Sequence, residues 1–515
     1  MIKICDAIMG AGKSQSAISY MNDNPEKKFI YLSPYCSEAA RIRRACPRLE
    51  FVEPGDVGNG KSIPKIAHTR RLLSRGKNIA STHAAFGLYS EDMIELIREK
   101  EYTLILDESL SVLAPAEVKP DDIKVLEMAG CIKRGEGMSG YTLGETPYES
   151  GRLDDIITLC KRNNLIFIEN SVEDETEGKY FCWELHLDVL QAFSEVIILT
   201  YLWEGQELKA FLDEKGMAYE PIGIRRCGDR YEFAETMEYW PEYVGRLDEM
   251  IRFYEVDKYL EIGEPREALS ASWYLRRLSG RGSSETIKKL QRGLRSFVRT
   301  FCGAKTPDGM YTYFKRDEKT MKKYGIGAFV PCNMRATNEY GDRTAVAYMI
   351  NIFMNPYKKR YLSTEEHPFD EDTYALSMII QWVWRSAIRN GQAISLYIPS
   401  KRMRDLFKGW MARVGEEYRA YRAALEAQAE GEAAAVPADT PSASGVRYAV
   451  AEAEAPATGE IYVVPVDPPA QPDVPAEPAA EPHEEADDSP GCELLGEPGI
   501  EICVSTDEAL RDLAS

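Results

Sequence analysis

Ala7-Ile8-Met9-Gly10-Ala11-Gly12-Lys13-Ser14 follows an apolar run containing Ile2 and Ile4 and precedes a helix-forming stretch from Gln15 to Tyr20. Strand, glycine-rich loop, helix is the order that a phosphate-binding loop requires. The small residues Ala7, Gly10, Ala11 and Gly12 let successive backbone N–H groups crowd around a polyphosphate. The N-terminus of the following helix adds partial positive charge. Lys13 is placed to reach the β- and γ-phosphates, and Ser14 to hold Mg²⁺. Ala7 stands where the usual pattern has its first glycine.

A second stretch completes the chemistry. Tyr102-Thr103-Leu104-Ile105-Leu106 reads as a buried strand ending in Asp107-Glu108-Ser109. A carboxylate at the tip of such a strand can bind the water shell of Mg²⁺, and a second beside it can deprotonate an attacking water. Asp107 is therefore the expected metal residue and Glu108 the expected general base. A kinase, whose acceptor is a hydroxyl, has no need of the second acid, so the pair favours nucleoside-triphosphate hydrolysis.

MGAGKS resembles motif I of the superfamily 2 helicases, and LILDES resembles their DExD/H-type motif II. The resemblance implies an α/β fold of two tandem RecA-like parallel-sheet lobes, with ATP and Mg²⁺ as cofactors. It makes Gly10, Ala11, Gly12, Lys13, Ser14 and Asp107 the nucleotide-binding set, with Ser14 and Asp107 on the metal. Phe29 to Pro34, followed by Arg41, is similar to motif Ia, which assigns Ser33 and Arg41 to a nucleic-acid phosphate. Asn78 to His83 falls where the family makes another backbone contact, here through Thr82. Val196 to Tyr201 falls at motif III, with Thr200 coupling the lobes.

The other half of the resemblance lies far down the chain. Gln381, Arg385 and Arg389 are spaced by four, which predicts one shared helix face. They resemble motif VI, a glutamine and two arginines that face the γ-phosphate across the lobe interface, and so join Glu108 as catalytic candidates. Arg389 falls one residue beyond the family spacing. Phe329 to Tyr340 resembles a motif V variant of phage-encoded members, implying nucleic-acid contacts from Arg335, Thr337 and Asn338. Arg276 to Arg295 offers a basic, mostly helical surface, while Tyr311, Tyr313 and Phe314 beside Lys315, Arg316, Lys319, Lys322 and Lys323 read first as core aromatics on a strand next to a solvated basic loop, with base stacking plus phosphate contact as the alternative.

The chain has 515 residues and a formal net charge of −20. Between Ala423 and Ser515 there are 21 acidic and 2 basic residues, which leaves a body of 62 acidic and 61 basic. The acidity therefore sits in a tail, and a near-neutral body can still carry a basic groove. The tail is rich in Ala, Pro and Glu and is expected to be mostly disordered. Its last stretch, from Glu493, regains pattern and could dock a replication partner. Eleven scattered cysteines form no Cys-x-x-Cys pair, which argues for a reducing cytoplasm and against a zinc ribbon. No apolar run is long enough to span a membrane, and the first strand begins at Ile2, where a signal peptide would otherwise lie.

The expected organisation is an N-terminal lobe over 1–205 with an insertion at about 110–190, then a C-terminal lobe over 206–415. A helical insertion is expected at about 240–302, and the acidic tail over 416–515. The function this implies is an ATP-dependent nucleic-acid helicase or translocase in phage DNA replication or recombination, with DNA favoured over RNA and no membrane partner. The alternatives are another P-loop motor of the packaging type and a nucleotide-binding scaffold that recruits replication partners.

Overall fold

A computed structural model describes residues 1–435 except 35, 56–63, 136–139, 170–178, 279–284, 304–307, 318–326 and 333–338. The acidic tail beyond 435 and the segment holding Arg335, Thr337 and Asn338 lie outside the described residues. Met1–Leu425 belong to one compact unit.

The chain opens with β1 (Ile2–Asp6), helix α1 (Lys13–Asp23), β2 (Lys28–Ser33), β3 (Ile79–Thr82) and β4 (Tyr102–Asp107). It then leaves this sheet for five short strands: β5 (Leu113–Pro115), β6 (Ile132–Arg134), β7 (Gly140–Leu143), β8 (Leu165–Glu169) and β9 (Lys179–Glu184). It returns through β10 (Glu195–Thr200) and β11 (Tyr219–Pro221). The first sheet has the order β11-β1-β10-β4-β2-β3 and is parallel throughout.

The strands of this sheet read as near-continuous apolar runs because helices cover both faces. Leu104, Ile105 and Leu106 of β4 are fully buried, each contributing roughly 2 kcal/mol by leaving water. The β-branched run Val196-Ile197-Ile198 and the stretch Phe29-Ile30 flank it in register, as the pleat favours.

The inserted strands form a separate antiparallel sheet, β5-β9-β8-β7-β6. Strands β8 and β9 pair antiparallel, with Leu165 opposite Trp183 and Phe167 opposite Phe181. This sheet packs its own core, including Ile123, Leu126, Tyr141 and Phe181.

After β11 comes a two-stranded hairpin, β12 (Gly223–Cys227) and β13 (Arg230–Ala234). The second lobe follows: β14 (Ile251–Phe253), β15 (Gly309–Thr312), β16 (Ala328–Phe329), β17 (Ala345–Tyr348), helix α2 (Glu371–Val383), β18 (Ile394–Tyr397) and helix α3 (Lys401–Ala435). Its sheet, β14-β18-β17-β15-β16, is again all parallel. The architecture is α/β, two tandem parallel-sheet lobes.

Two sequence boundaries move. The edge strand β11 pairs with β1, so the first sheet reaches past residue 205. Residues 240–302 hold helices but also β14, an edge strand of the second sheet, so they are part of that lobe. Of the two readings of the aromatic, basic segment, the core one holds: Tyr311, Tyr313 and Phe314 are 2, 1 and 6% exposed. They are core aromatics with no face for a base. Their apolar area is worth more inside the sheet–helix layer than on a surface.

Candidate functional site

Parallel sheets gather the loops after their strands at one edge, where ligands bind. Here β10 lies between β1 and β4. The loop after β1 and the acids after β4 thus emerge on either side of Thr200. Backbone bonds tie the three together: Ala7 N–H donates to the Thr200 carbonyl at 3.1 Å, and Glu108 N–H to the Leu199 carbonyl at 2.9 Å.

The loop carries the conformations that only glycine adopts without strain: φ is +77° at Gly10 and +94° at Gly12. Lys13 begins α1. Its ammonium folds over the loop, donating to the Ala7 carbonyl and, at 3.4 Å, to that of Ile8. The Ser14 hydroxyl lies 3.4 and 3.5 Å from the two Asp107 carboxylate oxygens.

Asp107 has a partner that sequence reading missed. The Tyr31 hydroxyl donates to Asp107 Oδ2 at 2.5 Å, and Tyr31 is fully buried in β2. Burial raises the Asp107 pKa to about 6; the Tyr31 hydrogen bond opposes this, while Glu108 and Glu38 add to it. The signal in the sequence was positional only: Tyr31 lies two residues before Ser33 on the same face of β2.

Glu108 is held at φ +66°, the left-handed region that a non-glycine residue occupies at a cost of order 1–3 kcal/mol. Its carboxylate accepts from the Gln381 side-chain amide at 3.3 Å. Gln381 sits in the last turn of α2, in the second lobe. The site is therefore assembled from both lobes. Tyr243 also crosses, its hydroxyl donating to the Met9 carbonyl at 2.6 Å. Trp410 of α3 donates from its indole N–H to the Tyr201 hydroxyl at 2.7 Å.

Gln381, Arg385 and Arg389 do not share a helix face. The helix stops at Val383 with Trp384 as its cap. Arg385 lies beyond that end, buried at 6% exposure and close enough to Tyr348 for its charge to act on the phenol. Arg389 stands on a short turn, Ala387–Asn390, exposed to solvent. The helix ends early because Trp384 and the residues after it pack inward, and Gly391 at φ +74° closes the turn.

Ser33 and Thr82 end adjacent strands and are direct register partners. Ser33 is buried at 1% exposure, and Thr82 is half-buried. Arg41 pairs with Glu38 at 2.7 Å on the helix Cys36–Ala45. Thr200 is fully buried. The basic helix 285–295 is partly neutralised: Lys288 meets Glu285 at 2.9 Å and Lys289 meets Glu261 at 2.8 Å.

The donor set suits one metal class. Among the described residues, no group of three or more His, Cys, Asp or Glu side chains could hold a metal ion. A hydroxyl and a single carboxylate side by side are hard oxygen donors. Mg²⁺ takes such a pair together with substrate phosphates and water.

Residues 245–411, which bracket the whole second sheet, match the family model described as the YonV C-terminal Rossmann-like domain. Over 418 residues the chain is 32% identical to the SPbeta prophage-derived uncharacterized protein YonV of Bacillus subtilis (strain 168), covering 80% of this chain and 98% of that protein. The chain belongs to the YonV family. As a YonV-family member it shares both lobes with that relative, since the alignment is longer than the C-terminal domain alone. Among solved structures it is similar to "XPD_Helicase", with a TM-score of 0.35 and 11% identity over 80% of this chain and 94% of that one. The structure titled "Structure of S. tokodaii Xpd4" gives 0.34 and 11% over 79% and 94%. No described helix is long and apolar enough to cross a membrane.

Proposed function

We propose that this chain is an ATP-dependent nucleic-acid motor of the superfamily 2 type, a helicase or translocase, acting on DNA in phage replication or recombination in the host cytoplasm. The observation that carries the reading is the hydrogen bond from Gln381 to Glu108. It joins the second lobe to the carboxylate of Glu108, whose backbone lies in the left-handed region, beside the Lys13–Ser14–Asp107 cluster. A hydrolytic base whose orientation depends on the opposite lobe suits a motor, in which lobe seating gates chemistry.

In this reading ATP lies with its phosphates on Ala7–Ser14, and Lys13 exchanges the Ala7 and Ile8 carbonyls for the β- and γ-phosphates. Ser14 and Asp107 would hold Mg²⁺, which when bound neutralises phosphate charge. Tyr31 fixes the plane of the Asp107 carboxylate. Glu108 takes the proton of the attacking water, and Gln381 orients Glu108. Arg385 stabilises the negative charge that develops in phosphoryl transfer. Thr200, bonded through its carbonyl to the loop, links nucleotide state to Tyr201 and so to Trp410 of the second lobe.

Ser33, Arg41 and Thr82 are assigned to nucleic-acid phosphates from the first lobe, and Arg335, Thr337 and Asn338 from the second. The prophage derivation of the relative supports DNA over RNA and a phage setting. The acidic tail is assigned to docking a replication protein. The test is ATP hydrolysis by the intact chain with single-stranded DNA, duplex, fork and RNA. DNA-stimulated hydrolysis that disappears in Lys13→Ala is the expected result; hydrolysis indifferent to every nucleic acid would remove the motor reading.

A further inference from the structure

The hairpin β12–β13 lies across one face of α1. Gly12, Ser16, Tyr20 and Asp23 follow at helical spacing on that face. Phe233 meets Tyr20 edge to face, with ring centroids 5.9 Å apart, and Arg230 is ion-paired with Asp23. These two contacts dock the hairpin. A third lies on the phosphate loop itself: a Cβ at Gly12 would come within 2.2 Å of the Tyr231 ring.

Tyr231 belongs to a small stack. The Arg226 guanidinium lies 5.5 Å from the Tyr231 ring centroid and 5.6 Å from that of Tyr239. The two rings meet edge on at 5.5 Å. Arg226 Nε donates to the Gly228 carbonyl at 2.9 Å, which sets the guanidinium plane, and Asp229 is 3.7 Å from its terminal nitrogen. Both tyrosines are half-buried and Arg226 is exposed. Solvent reaches the stack on the Arg226 side.

We propose that Tyr231 and Arg226 form the platform for the nucleobase of the triphosphate whose phosphates lie on Ala7–Ser14. The inference rests on the nucleotide reading of that loop and adds to it where the base goes. A base is a flat π-system tethered to phosphate by one sugar, so its platform must lie beside the loop. Tyr231 touches Gly12. Aromatic rings and guanidinium planes are the two side-chain surfaces on which bases stack. Stacking recognises any base face, so the platform provides affinity without strict base choice.

The test is calorimetric titration of the full chain with Mg·ATP and with Mg·tripolyphosphate, which lacks base and sugar. Tyr231→Ala and Arg226→Ala should each weaken ATP about tenfold, the scale of one lost base stack. They should leave tripolyphosphate within about twofold, and Tyr231→Phe should bind ATP as the parent does. Unchanged ATP affinity in both alanine variants overturns the proposal, as does an equal loss for both ligands, which would place the residues' effect on the phosphate loop. Failure of the underlying reading has a different signature: both ligands bind Lys13→Ala as they bind the parent, or neither binds the parent.

Discussion

The Gln381 amide donates to the Glu108 carboxylate at 3.3 Å, from the last turn of α2 in the second lobe to the tip of β4 in the first. Removing it should separate binding from turnover. Gln381→Ala is expected to lower stimulated kcat about tenfold with little change in ATP affinity, since an orienting hydrogen bond acts on the base rather than on the phosphates. Steady-state kinetics across ATP concentrations, with single-stranded DNA present, check this.

Arg385 and Arg389 should behave differently, because the chain leaves the helix between Gln381 and both of them. Arg385→Ala should abolish DNA-stimulated hydrolysis and also lower the melting temperature, because the side chain is almost fully buried and its loss opens a gap in packed surroundings. Arg389→Ala, at an exposed turn, should leave melting temperature and rate near those of the parent. Equal loss of rate in the two variants would restore the shared face that the spacing implied.

Tyr31→Phe removes one hydrogen bond to Asp107 and no packing volume. The carboxylate then loses a donor that favours its charged form, so it should hold Mg²⁺ less well. The expectation is a Mg²⁺ concentration at half-maximal rate raised by about tenfold or more, the scale of the ~1.5–3 kcal/mol that a hydrogen bond to a charged group contributes. An unchanged Mg²⁺ dependence would make Tyr31 a core residue only.

The backbone at Glu108 offers a test that does not read activity alone. Its φ of +66° suits glycine. Glu108→Gly should therefore melt no lower than the parent while losing hydrolysis, the exchange of stability against function expected where strain sits at an active site. Thermal unfolding and a hydrolysis assay on the same preparation decide it.

How much of this was legible follows from how local each feature is. The loop Ala7–Ser14 and the strand ending in Asp107 are contiguous stretches whose composition dictates their shape, and both lie where the order of motifs placed them. The face of Gln381, Arg385 and Arg389 was misread because spacing by four speaks only of a continuous helix. The inward packing of Trp384 and Ile388 ended that helix early. Tyr31, Tyr231 and Tyr243 escaped notice because each acts on residues far away in sequence, and nothing local distinguishes a core tyrosine from one aimed at a carboxylate or a glycine. Tyr311, Tyr313 and Phe314 were legible as core aromatics despite their basic neighbours, because burial of large apolar rings outweighs the pull of adjacent charges.

The central claim is that Glu108 is the base of an ATP hydrolysis assembled from both lobes. The most direct measurement is the ATPase rate of Glu108→Gln beside the parent, with single-stranded DNA, together with ATP affinity. The account predicts a rate at least about 10²-fold lower, the scale of a lost general base, with ATP binding retained. A Glu108→Gln variant that hydrolyses ATP at the parent rate would contradict it.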